Sequence, residues 1–183
     1  MLAKMKNRLQ SNKGFTLLEI IAVLVIAAVA ALVVANAVSR GRSNLTGRAE
    51  ALKSRIRYAQ SMAMSTDEQN WGIRFDTAEN QYWLFYCPSG ENCTSGENIT
   101  SIPGAESGPG DKIDLDDAGI GITGITPGGT GVTLAFNNFG TPCYGDLNQV
   151  LENLLTSEMT ITLAGPAGNT ETAGVTPTTG FVQ

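Results

Sequence analysis

The residues able to do chemistry are few in this chain, and most of the usual constellations are missing. It contains no histidine. That excludes a Ser-His-Asp triad, a Cys-His pair and His-ligated zinc together. Its three cysteines, Cys87, Cys93 and Cys143, do not form the C-x-x-C spacing of a zinc site. Asp111, Asp114, Asp116 and Asp117 form an acidic cluster. Their spacing lacks the D-x-[DN]-x-[DN]-G register of an EF-hand loop, so the cluster reads as a solvated acidic loop. No metal and no cofactor is expected. No nucleophile–base pair is legible, so the chain is not read as an enzyme. What stands out instead is Glu19, the one charge in the apolar run Phe15–Val38.

That run reads FTLLEIIAVLVIAAVAALVVANAV and holds no Pro and no Gly. As a helix it measures about 36 Å at roughly 1.5 Å per residue. The hydrocarbon layer is about 30 Å thick, so a single transmembrane helix is expected here. A secretory signal peptide is the competing reading. Its apolar region would be shorter, free of charge, and followed by a small-residue cleavage site. Here the small residue, Gly14, precedes the run, and a carboxylate lies within it.

A carboxylate in lipid costs about 2.5–3.5 kcal/mol on insertion scales. The bland account keeps Glu19 solvated near the interface. The functional account gives it a positive partner. Cleavage after Gly14 would create one, because the new α-amino group of Phe15 is mostly protonated at neutral pH. Glu19 of one subunit could then pair with the Phe15 amine of a neighbour, removing two charges from lipid at once.

Charge is split along the chain. Residues 1–14 carry Lys4, Lys6, Arg8 and Lys13 and no acid. Residues 40–57 carry Arg40, Arg42, Arg48, Lys53, Arg55 and Arg57 against Glu50. Beyond Tyr58 the only basic residues are Arg74 and Lys112. The basic leader supports a cytoplasmic N-terminus by the positive-inside rule, with the polar remainder outside. The acidic distal part is a poor partner for nucleic acid, which needs clustered Lys and Arg.

The elements that must position these residues follow from periodicity. Leu45, Ala49, Leu52, Ile56, Ala59 and Ala63 recur at spacings of three and four, the stripe of an amphipathic helix. Gly41 and Gly47 mark a possible bend in it. Trp71, Ile73 and Phe75 alternate with polar residues. A turn at 76–80 and the run YWLFY at 82–86 complete a hairpin. Residues 87–112 read as loop. Further strands are expected at Ile120–Ile125, Val132–Phe136 and Met159–Leu163. A helical turn is expected near Leu147–Leu155, and a turn with a short strand at the end. High Gly and low charge agree with a strand-and-loop-rich domain. A disulfide Cys87–Cys93 would staple the loop after the hairpin in an oxidising exterior. The alternative pairs Cys143 with one of the two across the sheet, and sequence does not choose.

Lys13-Gly14-Phe15-Thr16-Leu17-Leu18-Glu19-Ile20, behind a basic leader and before an apolar helix, resembles the prepilin motif of type IV pilins and type II secretion pseudopilins. The resemblance implies cleavage after Gly14, with Lys13, Gly14 and Phe15 as the peptidase and methylation site. It implies Phe15 and Glu19 as the subunit-assembly residues. One departure is the absence of a Pro within the helix, since none occurs before Pro88. Leu52–Met64, Phe136-Asn137-Asn138-Phe139-Gly140 and Pro177-Thr178-Thr179-Gly180 are similar to the GspH/FimT branch. The fold implied is α+β, a long N-terminal helix packed on an antiparallel sheet. The expected division is a leader at 1–14, a transmembrane and assembly helix at 15–40, its amphipathic continuation at 41–66, and a β-rich pilin-like domain at 67–183.

The function implied is that of a structural subunit of a type IV pilus-like or type II secretion pseudopilus filament. Its partners would be other pilins or pseudopilins, a prepilin peptidase, and an inner-membrane assembly platform with its ATPase. It would sit in the inner membrane, with its domain in the periplasm, before assembly. The alternative is a monomeric tethered binding module, such as an adhesion or DNA-uptake minor pilin.

Overall fold

A computed structural model describes residues 17–66, 69–88, 98–100, 111–128, 132–145, 153–166 and 168–183, except for the side chains of 33–43, 98 and 117. The chain divides into two compact units, Met1–Ser39 and Arg40–Gln183.

One α-helix, α1, spans Leu17–Ser65 and includes both Gly41 and Gly47, so neither ends it. In the second unit its stripe of Leu45, Ala49, Leu52, Ile56, Ala59 and Ala63 is buried, as the periodicity requires. Burial of this one face, more than propensity, holds such a helix in place.

Two antiparallel sheets complete the core. The larger is built on the hairpin β1 (Gln69–Asp76) and β2 (Gln81–Pro88), paired in register from Gln69↔Pro88 to Asp76↔Gln81. β3 (Asn98–Thr100) and β4 (Ile113–Asp114) pair with β2, while β6 (Thr133–Phe136) pairs with β1 and β7 (Pro142–Gly145) with β6. The smaller has the order β5 (Gly121–Thr126), β8 (Met159–Ala164), β9 (Thr170–Val175). The α1 stripe forms one cluster with Ile73, Phe75, Tyr82, Leu84, Leu134 and Phe136 of the larger sheet and Ile161, Leu163 and Val175 of the smaller. The opposite face of the larger sheet carries its own cluster of Trp83, Phe85, Cys87 and Ala135. Residues on the two faces alternate because successive strand side chains point to opposite sides.

The expected hairpin and the strands near 120–125, 132–136 and 159–163 are present to within a residue or two. Four strands were not expected. β3 and β4 add to β2 near or within segments read as loop, and β7 and β9 lack a continuous apolar pattern. β9, TETAGV, buries only its last three residues, so its sequence carries little alternation. The helical turn expected near Leu147–Leu155 is corrected over its described part. Leu154 instead bridges Cys143 as an extended residue, and the Leu155 N–H donates to the Pro142 carbonyl at 2.9 Å. Pairing with the β7 edge satisfies backbone groups that a single isolated turn would leave open. At the end, a turn at 177–179 leads to Val182, which bridges Val175.

Candidate functional site

The first unit presents an apolar helix surface. Every described residue from Leu17 to Leu32 is exposed, including Leu17 at 77% and Leu18 at 79%. A helix that is apolar all round is stable when buried, either in a large core or in lipid. Exposed apolar area of this extent marks an interaction surface. Glu19 lies in the first turn of α1, on the described surface beside Ile20, Val23 and Leu24. Lys13, Gly14 and Phe15 lie outside the described residues.

The described apolar side chains reach from Leu17 to Leu32, about 24 Å of helix at roughly 1.5 Å per residue. Among the described residues no helix is long and apolar enough to cross a membrane. The span expected for Phe15–Val38 includes residues beyond that described set at both ends.

The second unit fixes the distal half of α1 to the sheets through side chains that sequence reading did not single out. Arg55 donates to the Tyr82 hydroxyl, and its guanidinium lies 5.4 Å from that ring's centroid. Burial lowers the Arg55 pKa, and the neighbouring Arg48 lowers it further. Arg57 donates to the Val182 carbonyl at 2.9 Å. Gln60 donates to the carbonyls of Gly140 at 2.9 Å and Thr179 at 2.7 Å. The segments Phe136–Gly140 and Pro177–Gly180 thus meet at one helix side chain. Their glycines have φ of 75° at Gly140 and 64° at Gly180, a left-handed backbone that glycine adopts without strain. A Cβ on Gly180 would meet Phe136 at 2.9 Å and the Gly140 carbonyl at 3.0 Å. These two turn sequences were legible as motifs, but their common anchor was not.

Cys87 lies buried on β2 and is disulfide-bonded. Cys143 is a free, buried thiol, so it does not close the alternative cross-sheet bridge. Cys93 lies outside the described residues. The acidic cluster has local structural uses. Asp114 accepts from the Asp116 N–H at 2.8 Å, and Asp116 accepts from the Asn80 amide at 2.9 Å. Asn80 also accepts from the Ile122 N–H at 2.9 Å, tying the hairpin turn to β5. The side chain of Asp117 is outside the described set.

Comparison with known proteins agrees at both ends of the chain. Residues 9–35 match the prokaryotic N-terminal methylation motif. The fold is similar to that of the minor pseudopilin EpsH from the type 2 secretion system of Vibrio cholerae, with a TM-score of 0.53 and 10% identity, over 76% of this chain and 94% of that one. No protein of curated function matches the chain. The chain thus combines the N-terminal methylation motif at residues 9–35 with a fold, a helix packed on antiparallel sheets, that is similar to that of a minor pseudopilin.

Proposed function

We propose that the chain is made as a prepilin, cleaved after Gly14, N-methylated at Phe15, and assembled into a type IV pilus-like or type II secretion pseudopilus filament. The observation that carries this reading is Glu19, within the motif and within an apolar helix exposed on every described side. Before assembly the helix Phe15–Val38 would sit in the inner membrane, with the sheet domain in the periplasm. In the filament, the helices of neighbouring subunits would replace lipid around it. The Phe15 amine and Glu19 of adjacent subunits would then neutralise each other in an apolar medium, where an unpaired charge is costly. The peptidase, assembly platform and ATPase are the partners this route requires. A Cys87–Cys93 bridge would staple the segment after β2.

A tethered monomer would have no use for a carboxylate inside its membrane anchor, so the filament reading is preferred. The deciding experiment is intact-mass spectrometry of the protein extracted from membranes that contain the native peptidase. Loss of residues 1–14 with the added mass of one methyl group is expected. An intact N-terminus, or cleavage beyond Val38, would refute prepilin processing.

A further inference from the structure

Among the described residues of the second unit, Phe139 at 81% exposure and Phe181 at 62% are the most exposed large apolar side chains. Scattered singly they would need no explanation, since much of any protein surface is apolar. The fold gathers them. Phe139 precedes Gly140 and Phe181 follows Gly180, and these two glycines lie against each other: a Cβ on Gly180 would stand 3.0 Å from the Gly140 carbonyl. Met64, 52% exposed on the last turn of α1, completes the group, because a Cβ on Gly140 would stand 2.7 Å from its Sδ.

The backbone of both turns is fixed before any partner arrives. Asn137 Oδ1 accepts from the N–H groups of Phe139 at 3.0 Å and Thr141 at 2.9 Å. The Phe181 carbonyl accepts from the Thr176 N–H at 2.9 Å, and the Gly180 N–H donates to the Thr176 carbonyl at 3.1 Å. Gln60 ties both turns to the helix. A surface held this way gives up little conformational freedom on binding. Exposed Asn138, Thr178 and Thr179 flank the two rings with neutral polar groups. Aromatic anchors in an uncharged polar surround are the composition of an interface core.

Charge and area select the occupant. Segments 136–141 and 176–181 contain no Asp, Glu, Lys or Arg, whereas the rest of the distal chain is strongly acidic. Copies of such a domain repel each other except where their surfaces are neutral. The three side chains expose about 400 Å², taking roughly 200 Å² for a fully exposed side chain of this size. A stable complex needs about 800 Å² from each partner. The patch is therefore too small to hold two free proteins together. It suits a neighbour already held by another contact, where effective concentration replaces area. The apolar helix would supply that contact, and both members of its proposed charge pair, the Phe15 amine and Glu19, are on this chain. A second copy meets both requirements. Lipid does not, because α1 runs about 36 Å from Arg40, where the second unit begins, to Met64.

We propose that Phe139, Phe181 and Met64 form a docking patch through which the globular domain meets a second copy of this chain. The inference rests on the filament reading above and names a contact that would join domains within it. A helical filament repeats one head-to-tail contact, so the patch of each copy would meet a different surface of the next.

The test uses the full chain in cells that contain the native peptidase. Benzoylphenylalanine, a photo-reactive amino acid, replaces Phe181 and keeps an aromatic ring there. Irradiation is expected to give an adduct of twice the processed mass. Phe139→Ser with Met64→Ser should lower its yield about tenfold, while Phe139→Leu stays within about threefold, because apolar area governs the contact. If the double variant fails to reach wild-type levels in the membrane, Phe139→Ser alone is read in its place. An adduct indifferent to the Ser substitutions, adducts only to lipid or to other proteins, or no adduct from a processed and assembled chain would overturn the docking patch. Retention of residues 1–14, or a processed chain that never enters filaments, would count against the filament reading instead, so the two failures are distinguishable.

Discussion

The Gln60 amide of α1 donates to the Thr179 carbonyl at 2.7 Å, joining residues 119 apart in sequence. The same nitrogen holds the Gly140 carbonyl at 2.9 Å. One helix side chain thereby fixes two surface turns.

Gln60→Ala should destabilise the protein by about 1–2 kcal/mol, the net worth of two partly solvated hydrogen bonds. Urea unfolding of the detergent-extracted chain measures it. An unchanged midpoint would mean that the turns hold themselves.

Gly72 has no room for a side chain. A Cβ there would lie 2.5 Å from the Leu134 carbonyl and 2.7 Å from the Phe85 ring. Gly72→Ala must part β1 from β6 or rotate a fully buried ring, so a loss of about 2–3 kcal/mol is expected from overpacking. Thermal unfolding followed by Trp fluorescence reads it out, and a loss below about 0.5 kcal/mol would contradict the close approach.

Thr133 is fully buried, and its hydroxyl has no hydrogen-bond partner among the described residues. Thr133→Val keeps the shape and removes the polar atom, so a gain of about 1 kcal/mol in stability is expected. Destabilisation by the same substitution would show that the hydroxyl is satisfied in solution.

Burial pushes the Cys143 thiol up to about 11. The free thiol of an unfolded chain ionises near about 8.5. The folded state therefore holds its proton to higher pH, and the stability due to this group is complete below about pH 8.5 and lost as pH rises toward about 11. In that window the wild type should lose up to about 1.4 kcal/mol per pH unit more than Cys143→Ala. Parallel stability–pH curves for the two proteins would rule this out.

Glu19→Val should leave membrane association intact and abolish incorporation into filaments, since the substitution makes the helix more apolar while removing the partner proposed for the Phe15 amine. Fractionation separates the two effects. Normal incorporation of the variant would favour a simple tether.

The sequence by itself determined what is local or periodic. The apolar run with Glu19 is a matter of composition and position. The stripe from Leu45 to Ala63 and the hairpin of β1 and β2 follow from 3.6- and 2-residue periods, which survive without tertiary information. Tertiary structure decided the remainder. β3, β4, β7 and β9 are short or weakly patterned strands that exist because a neighbouring edge offers hydrogen bonds. Leu154 bridges Cys143 for the same reason. The anchoring of two turns at Gln60, and the meeting of Arg74 and Lys112 on Trp83, depend on contacts between distant segments. Such contacts are set by how helix and sheets pack, and no local period in the chain encodes them.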